Sequence, residues 1–578
     1  MVEFFTIDGI RVDLIPNQEL ALTIEHAFLS NDGIPVAWTT DVELATTERN
    51  CRLFGFSNAM LLPSRRKQIN VVMHINGIPT MPGKLKLLGP ASNLLRASFS
   101  GVEIESSLTG HLKDVAFDKW NFGKLGEYDD KTLYNEVMSS AANGTREDFA
   151  TPCMIRSEAE DVEEPYIDLS SASTKESWAT KFCNAKIGTF TIPVVRLKYI
   201  LRKVFPDCEI DKEFDGYIDK IGIVAPYRKN GSFADINVGC LDKDEAGNYV
   251  LDLAEAMPDT TVLDFMKNLL NAFGATIYLT QSGKQIIANK TILESTEFEN
   301  WTNKISDDFE QEYEDGRNYE FGFSSVNDTE IKEPVVDCAT IGEAFDLAEG
   351  TVAHALDTGD YYRVLKKSIR LGLSNGESTG WTVAALKLLK QGGMKVENTS
   401  ENDLETVSAM SSFTPVRTLP YHFHTQVSWA IQGTTCMMIP IVEIPSIGGT
   451  RSSNIFFGTL ERAVGDFVNA YAPLIQLTSN GCYGDGSYWI SFFYSDGRRL
   501  TMNDEKGLYQ YHRGYKEWLL AERTITKAAL NLSAADIANL KIWKKIMLYN
   551  QLFLIKTLTI TLNTSKDYIN TEAEFVPV

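Results

Sequence analysis

Residues 258–288 read PDTTVLDFMKNLLNAFGATIYLTQSGKQIIA, and the spacing of their apolar side chains decides how this part of the chain folds. Asp259, Thr260 and Thr261 stand ahead of the apolar run. A short polar side chain there accepts a hydrogen bond from an N–H group that a helix start leaves unpaired, and Thr261 with Asp264 fits the reciprocal capping pattern. Val262, Phe265, Met266, Leu269, Leu270 and Phe273 follow at steps of three, one, three, one and three, which gathers them on one helix face. Gly274 stops the helix, since only glycine enters the left-handed conformation cheaply. Ala275 to Leu279 and Gln285 to Ala288 are β-branched and apolar stretches around Gln281, Ser282, Gly283 and Lys284, the pattern of two strands and a tight turn. Every polar group in this unit has a structural use, and none is arranged for catalysis.

Upstream, Pro193 opens a second helical pattern with Leu197, Ile200, Leu201 and Val204 as its apolar stripe and Arg196, Lys198, Arg202 and Lys203 on the remaining positions. With the first unit it makes residues 181–293 an α+β domain. Residues 1–117 show strand-like runs at Gln18 to Glu25, Gln68 to Ile75, Lys84 to Leu88 and Leu94 to Ile104, which predicts an antiparallel domain of barrel or sandwich type. Residues 118–180 are polar, acidic and carry Pro152 and Pro165, as a loop-rich insertion or linker would. Residues 294–413 return to alternation, with Tyr319, Phe321 and Phe323 at period two, and form a second β region with the makings of a second barrel. Residues 414–578 are mostly strand and turn, with an aromatic helix around Leu508, Tyr511, Tyr515, Trp518 and Leu519. Ser533 with Asp536 then caps a turn, and a closing hairpin forms around Tyr549-Asn550. The expected fold class is mainly β with α+β insertions: a multidomain chain of small barrels or sandwiches plus helix-hairpin domains.

Composition sets the outer limits. A chain of 578 residues exceeds what one core organises, so roughly three to five domains are expected. With 44% hydrophobic and 11% aromatic residues it has the material to fold. Its 55 Lys and Arg against 77 Asp and Glu give −22, which repels phosphate backbones and anionic membranes and argues against specific nucleic-acid binding. The acid concentrates in Asp307, Asp308, Glu310, Glu312, Glu314 and Asp315 and in Glu158, Glu160, Asp161, Glu163 and Glu164. Like charges at that density belong on solvated surface or linker. Eight cysteines (Cys51, Cys153, Cys183, Cys208, Cys240, Cys338, Cys436, Cys482) show no CxxC pair and read as reduced thiols of a protein assembled in a cytosol. The amino terminus lacks the pattern of a signal peptide, and no apolar run approaches the ~20 residues of a membrane span.

The search for chemistry returns structural readings. No GxSxG elbow, GxxxxGK[ST] or GxGxxG occurs, and Gly481-Cys482-Tyr483-Gly484-Asp485-Gly486-Ser487 reads as a β-turn. His422 and His424 form an H-x-H pair that a strand would present on one side, but no HExxH accompanies them, and aromatic packing is the better reading. His74 lies in the alternating run Ile69, Val71, Met73, Ile75 and belongs to a sheet face. Asp242, Asp244 and Gly247 resemble the start of a calcium loop, yet Leu253 stands where its closing carboxylate belongs, so a hairpin turn is expected. No catalytic, cofactor-binding or metal-ligating residue is assigned, and no cofactor and no enzymatic activity are expected.

The order of segments carries more than any motif. Leu44-Ala45-Thr46-Thr47-Glu48-Arg49-Asn50 and Leu53-Phe54-Gly55-Phe56 come first, then Leu197-Lys198-Tyr199-Ile200-Leu201-Arg202-Lys203-Val204-Phe205 after Ile192-Pro193. Met257-Pro258-Asp259, Asn271-Ala272-Phe273-Gly274, Asn300-Trp301-Thr302-Asn303-Lys304 and Gly507-Leu508-Tyr509-Gln510 follow. The series resembles tail-hub proteins of phages and prophages of gut Bacteroidetes and, more distantly, the baseplate-hub and type VI secretion spike family. That resemblance implies a virion tail protein assembled in the host bacterial cytoplasm. It implies a homotrimer with two small barrels per subunit in a pseudo-six-fold ring, joined to tail-tube and tail-tip or spike proteins, with DNA passing through. Strands from Trp301 to Leu373 and beyond Phe413 would supply the second barrel. Two other readings compete: a receptor- or glycan-binding tail component with Trp489, Tyr494 or Tyr511 as stacking platforms, and a cell-envelope hydrolase.

Overall fold

The computed structural model describes residues 2–29, 39–54, 68–101, 146–150, 194–224, 257–323, 405–415, 455–462 and 507–578 with a few gaps, and between them a set of short segments, chiefly strand backbones. The chain is mainly β, with several sheets and few helices. The Val262–Ala272 helix begins where capping chemistry requires it: Thr261 Oγ1 accepts from the Asp264 N–H at 3.0 Å. The return arm differs from the expected box, because the Asp264 carboxylate takes the Thr261 hydroxyl at 2.7 Å. Gly274 ends the helix at φ +50°, and a Cβ there would meet the Tyr511 carbonyl at 3.2 Å, so its conformation and its lack of a side chain are both needed. The Ala275–Thr280 and Gly283–Ala288 strands pair antiparallel, and Cys208–Ile210 adds a parallel third strand that its three residues do not announce in sequence.

Phe265 and Phe273 are fully buried, Phe265 against Phe413 at 4.9 Å and Phe273 against Phe214 at 4.6 Å. Removing such a ring from water contributes about 1.5–3 kcal/mol. This core also takes in Tyr319, Phe321, Phe323, Phe457, Tyr511 and Tyr515. The basic helix is shorter than its sequence pattern: it spans Leu197–Val204, and Val194–Arg196 forms a strand between Ile221–Val224 and Phe149–Ala150. Two buried, β-branched valines with a strand on either side favour extension over a further helical turn.

A second core joins the two ends of the chain. The Val2–Ile7, Ile10–Val12, Gln68–Ile75, Ile78–Ala91, Leu94–Gly101 and Thr39–Ala45 strands make an open six-stranded antiparallel sheet. Glu19–Glu25, read from sequence as one of its members, instead pairs antiparallel with Gln551–Asn563 in a seven-stranded sheet. Leu20 and Leu22 thereby share a core with Leu558, Ile560 and Phe575 as well as with Phe5 and Phe99. Two sheets over one core fit the sandwich half of the expectation; among the described residues the strand orders are open and close no barrel. Residues 118–180 also hold more structure than a linker: Lys124–Tyr128, Phe149–Ala150, Met154–Ser157 and Tyr166–Asp168 are strands, and each pairs with a strand beyond residue 180. Among the described residues, no helix is long and apolar enough to cross a membrane.

Candidate functional site

The structure disperses the residues that sequence offered for chemistry. His422 and His424 occupy alternate positions of the Arg417–Thr425 strand, in register with Tyr166 and Asp168 of a parallel neighbour. No metal-holding group of His, Cys, Asp or Glu occurs among the described residues. His74 sits in its sheet with Nε2 3.2 Å from Thr6 Oγ1. Leu241–Lys243 and Tyr249–Asp252 pair as the hairpin expected around Asp242 and Asp244. Tyr511 is fully buried and packs on Tyr217, Phe214 and Phe273, so it is no stacking platform for a glycan. Trp489 lies in the Tyr488–Ser491 strand, while Tyr494, Gly481–Ser487 and the Glu158–Glu164 run lie outside the described residues. Burial pushes the Cys208 thiol up to about 11, which keeps it protonated and unreactive.

The motif around Thr47 proves to be a clip. Thr47 caps the short Glu48–Leu53 helix, and buried Asn50 donates through Nδ2 to the carbonyls of Asp13 and Ala45, both at 2.8 Å, and accepts the Asp13 N–H at 2.9 Å. Asp13 in turn accepts from Thr47 Oγ1 and Arg49, each at 2.7 Å. The basic helix is equally occupied: Lys198 bridges Asp215 and Asp219, Arg202 reaches Glu147 at 3.6 Å, and Lys203 lies over Tyr199. These three cations each have a partner within the chain.

Sequence reasoning missed a buried polar chain. His512 is fully buried, with Nε2 3.1 Å from the Ala272 carbonyl and Nδ1 2.8 Å from Tyr319 Oη. A carbonyl only accepts, so Nε2 carries the proton and Nδ1 accepts from the tyrosine. Burial holds His512 down to about 4 and His26 to about 3, keeping both rings neutral. The Phe321 ring stacks on His512 at 4.7 Å. Helix end, strand and aromatic helix are thus fastened together.

The best candidate for function is a surface. The acidic run expected to be solvated is solvated, but it is a strand: Ile305–Glu314 forms the outer edge of the seven-stranded sheet, paired with Arg523–Leu530 on one side. Residues 307–313 are all exposed, including Phe309 at 49% and Tyr313 at 89%. At its end Glu314 takes Arg523 at 2.9 Å, Arg317 at 2.8 Å and Lys556 at 3.7 Å. Burial alone would raise that carboxyl, and these cations outweigh it and hold it below its usual value. Glu312 is lowered by its 2.8 Å bond to Lys527. Among the described residues no cation pairs with Asp307, Asp308 or Glu310. A trough of about 550 Å³ lies beside them, floored by small residues such as Ala529, Thr557 and Thr559. The β reading of this region holds, but the strand it meets was not legible, because its partners lie more than 200 positions away, as the register Glu310 to Lys527 shows.

No protein-family model matches the chain, and no curated protein matches it either. Among solved structures it is similar to the 43 kDa tail protein of prophage MuSo2 from Shewanella oneidensis, at 7% identity and a TM-score of 0.33, over 99% of this chain and 97% of that one. It is likewise similar to the tail protein from Neisseria meningitidis MC58, at 8% identity and a TM-score of 0.30, over 100% of this chain and 96% of that one. Overlaps this slight carry no weight for fold or function.

Proposed function

We propose that the chain is a structural subunit of a viral tail: a tail hub that forms a homotrimeric ring between the tail tube and a tail tip or spike. The observation that carries the subunit reading is the Ile305–Glu314 edge strand, whose residues 307–313 are exposed on both faces and include two aromatics. Such surface suits a chain that is completed by neighbours. The order of segments, which resembles that of tail hubs, supplies the tail. The alternatives gain nothing from the geometry: Tyr511 is buried, and Glu314 is held ionised by cations where a glycosidase acid must be held protonated. Light scattering on the purified chain, with electron microscopy of the native particle, tests the proposal. A trimer whose contacts bury more than about 2,000 Å² in total is expected. A monodisperse monomer at high concentration, with no ring in the particle, would refute it.

A further inference from the structure

We infer that the Ile305–Glu314 edge accepts an extended, Lys/Arg-bearing segment of a different polypeptide, which adds to the sheet as an eighth strand. The inference deepens the reading as an assembly subunit and rests on it.

In an antiparallel pair, every second residue turns its N–H and C=O away from its neighbour. Arg523–Leu530 therefore satisfies half of the edge strand, and among the described residues no strand takes the other half. From Phe309 onward the register is regular, so Phe309, Gln311 and Tyr313 share one face and Glu310, Glu312 and Glu314 the other. On the carboxylate face Glu310, Lys527, Glu574, Thr557 and Glu25 stand in a single cross-strand row. Lys527 is shared between Glu312 at 2.8 Å and Glu574 at 3.7 Å, which leaves Glu310 in surplus beside the trough.

Charged residues are one way to keep an edge unpaired, and the acids alone would be read so. Two exposed aromatics on the opposite face are out of place in that reading, since a blunted edge has no use for Tyr313 at 89% exposure. They suit a partner strand whose alternate residues are apolar. A second copy is the wrong partner: pairing this edge with itself would bring carboxylates opposite carboxylates. The fitting strand has cations on the Glu310 side and apolar residues on the Tyr313 side.

The test uses the full chain and three labelled peptides of about 12 residues: one alternating Lys with Val and Leu, its Glu counterpart, and a peptide of the first one's charge with Pro at alternate positions. The first is expected to bind, more weakly as salt rises, and the other two to bind at least roughly tenfold less tightly. Because a −22 chain attracts any cation, the variants decide. Tyr313→Ser, and Asp308→Lys with Glu310→Lys, should each weaken binding by roughly tenfold with unchanged melting temperatures. Equal binding of the Pro peptide, equal binding by the variants, or no binding overturns the inference. Tighter self-association of the Lys variant with no peptide binding by wild type would identify a blunted edge and also overturn it. Light scattering on the same samples separates the two readings: a trimer that ignores the peptides defeats this inference alone, and a monomer that binds them defeats the trimer alone.

Discussion

Asn50 and His512 hold the fold through polar contacts that few apolar residues could replace. Asn50 satisfies one N–H and two carbonyls at once, so Asn50→Ala leaves the Asp13 N–H unpaired and strips each carbonyl of one bond, while the Asp13 carbonyl keeps the Ala45 N–H and the Ala45 carbonyl keeps the Thr47 N–H. A cost of about 1–2 kcal/mol is expected, read as a lowered urea midpoint; an unchanged midpoint would mean water takes the place of the amide. His512 and His26 make stability depend on pH. Their folded pKa values of about 4 and about 3 lie below the ordinary 6.5. The unfolded chain therefore binds their protons as pH falls through 6.5, while the folded chain does not until near 4 and 3. Their contribution is complete above pH 6.5 and declines between 6.5 and 4 by about 1.4 kcal/mol per pH unit for each ring. Urea titrations at pH 7, 6 and 5 should show this slope, and His512→Asn should remove its share. Identical midpoints at pH 7 and pH 5 would contradict the neutral, buried assignment.

Among the elements, the Val262–Ala272 helix was almost fully legible before its surroundings were known. Its stripe is buried, and its start and stop fall at Thr261 and Gly274. Phe265→Ala removes a ring in contact with Phe413, so a loss of about 3–5 kcal/mol is expected from transfer and cavity together. An unchanged melting temperature would show the face to be misassigned. Other local signals also succeeded: Ser533 forms a full capping box with Asp536, and Tyr549-Asn550 turns between Leu548 and Gln551 with positive φ at both residues. One was available and overlooked: Asn76-Gly77 joins Ile75 to Ile78 with φ of 48° and 74°, the geometry that Asn-Gly favours in a two-residue hairpin. The helix start placed at Pro193 failed because Val194 and Val195 answer to strands at Phe149–Ala150 and Ile221–Val224, outside any local window.

At the scale of the whole molecule, charge and topology carry the consequences. Changing Asp307, Asp308, Glu310 and Glu312 together to Asn and Gln removes repulsion among exposed groups and leaves the core untouched, so self-association should be intact or slightly favoured. Native mass measurement of the variant checks this; a folded protein that no longer assembles would make those carboxylates contacts between copies. The same variant should lose affinity for a basic strand, which separates the two roles of the edge.

By itself the sequence determined what depends on neighbours a few positions apart: the apolar face of the Val262–Ala272 helix, its caps, the closing hairpin, and the solvation of the acidic run. Tertiary structure decided which strands meet. Glu19–Glu25 alternates as well for one sheet as for another, and its pairing with Gln551–Asn563 was settled by burying Leu20 and Leu22 among side chains more than 500 positions away. The acidic run became an edge strand for the same reason: backbone hydrogen bonds to Arg523–Leu530 and the cations around Glu314 outweigh the mutual repulsion of its charges, and both lie beyond the reach of any local reading.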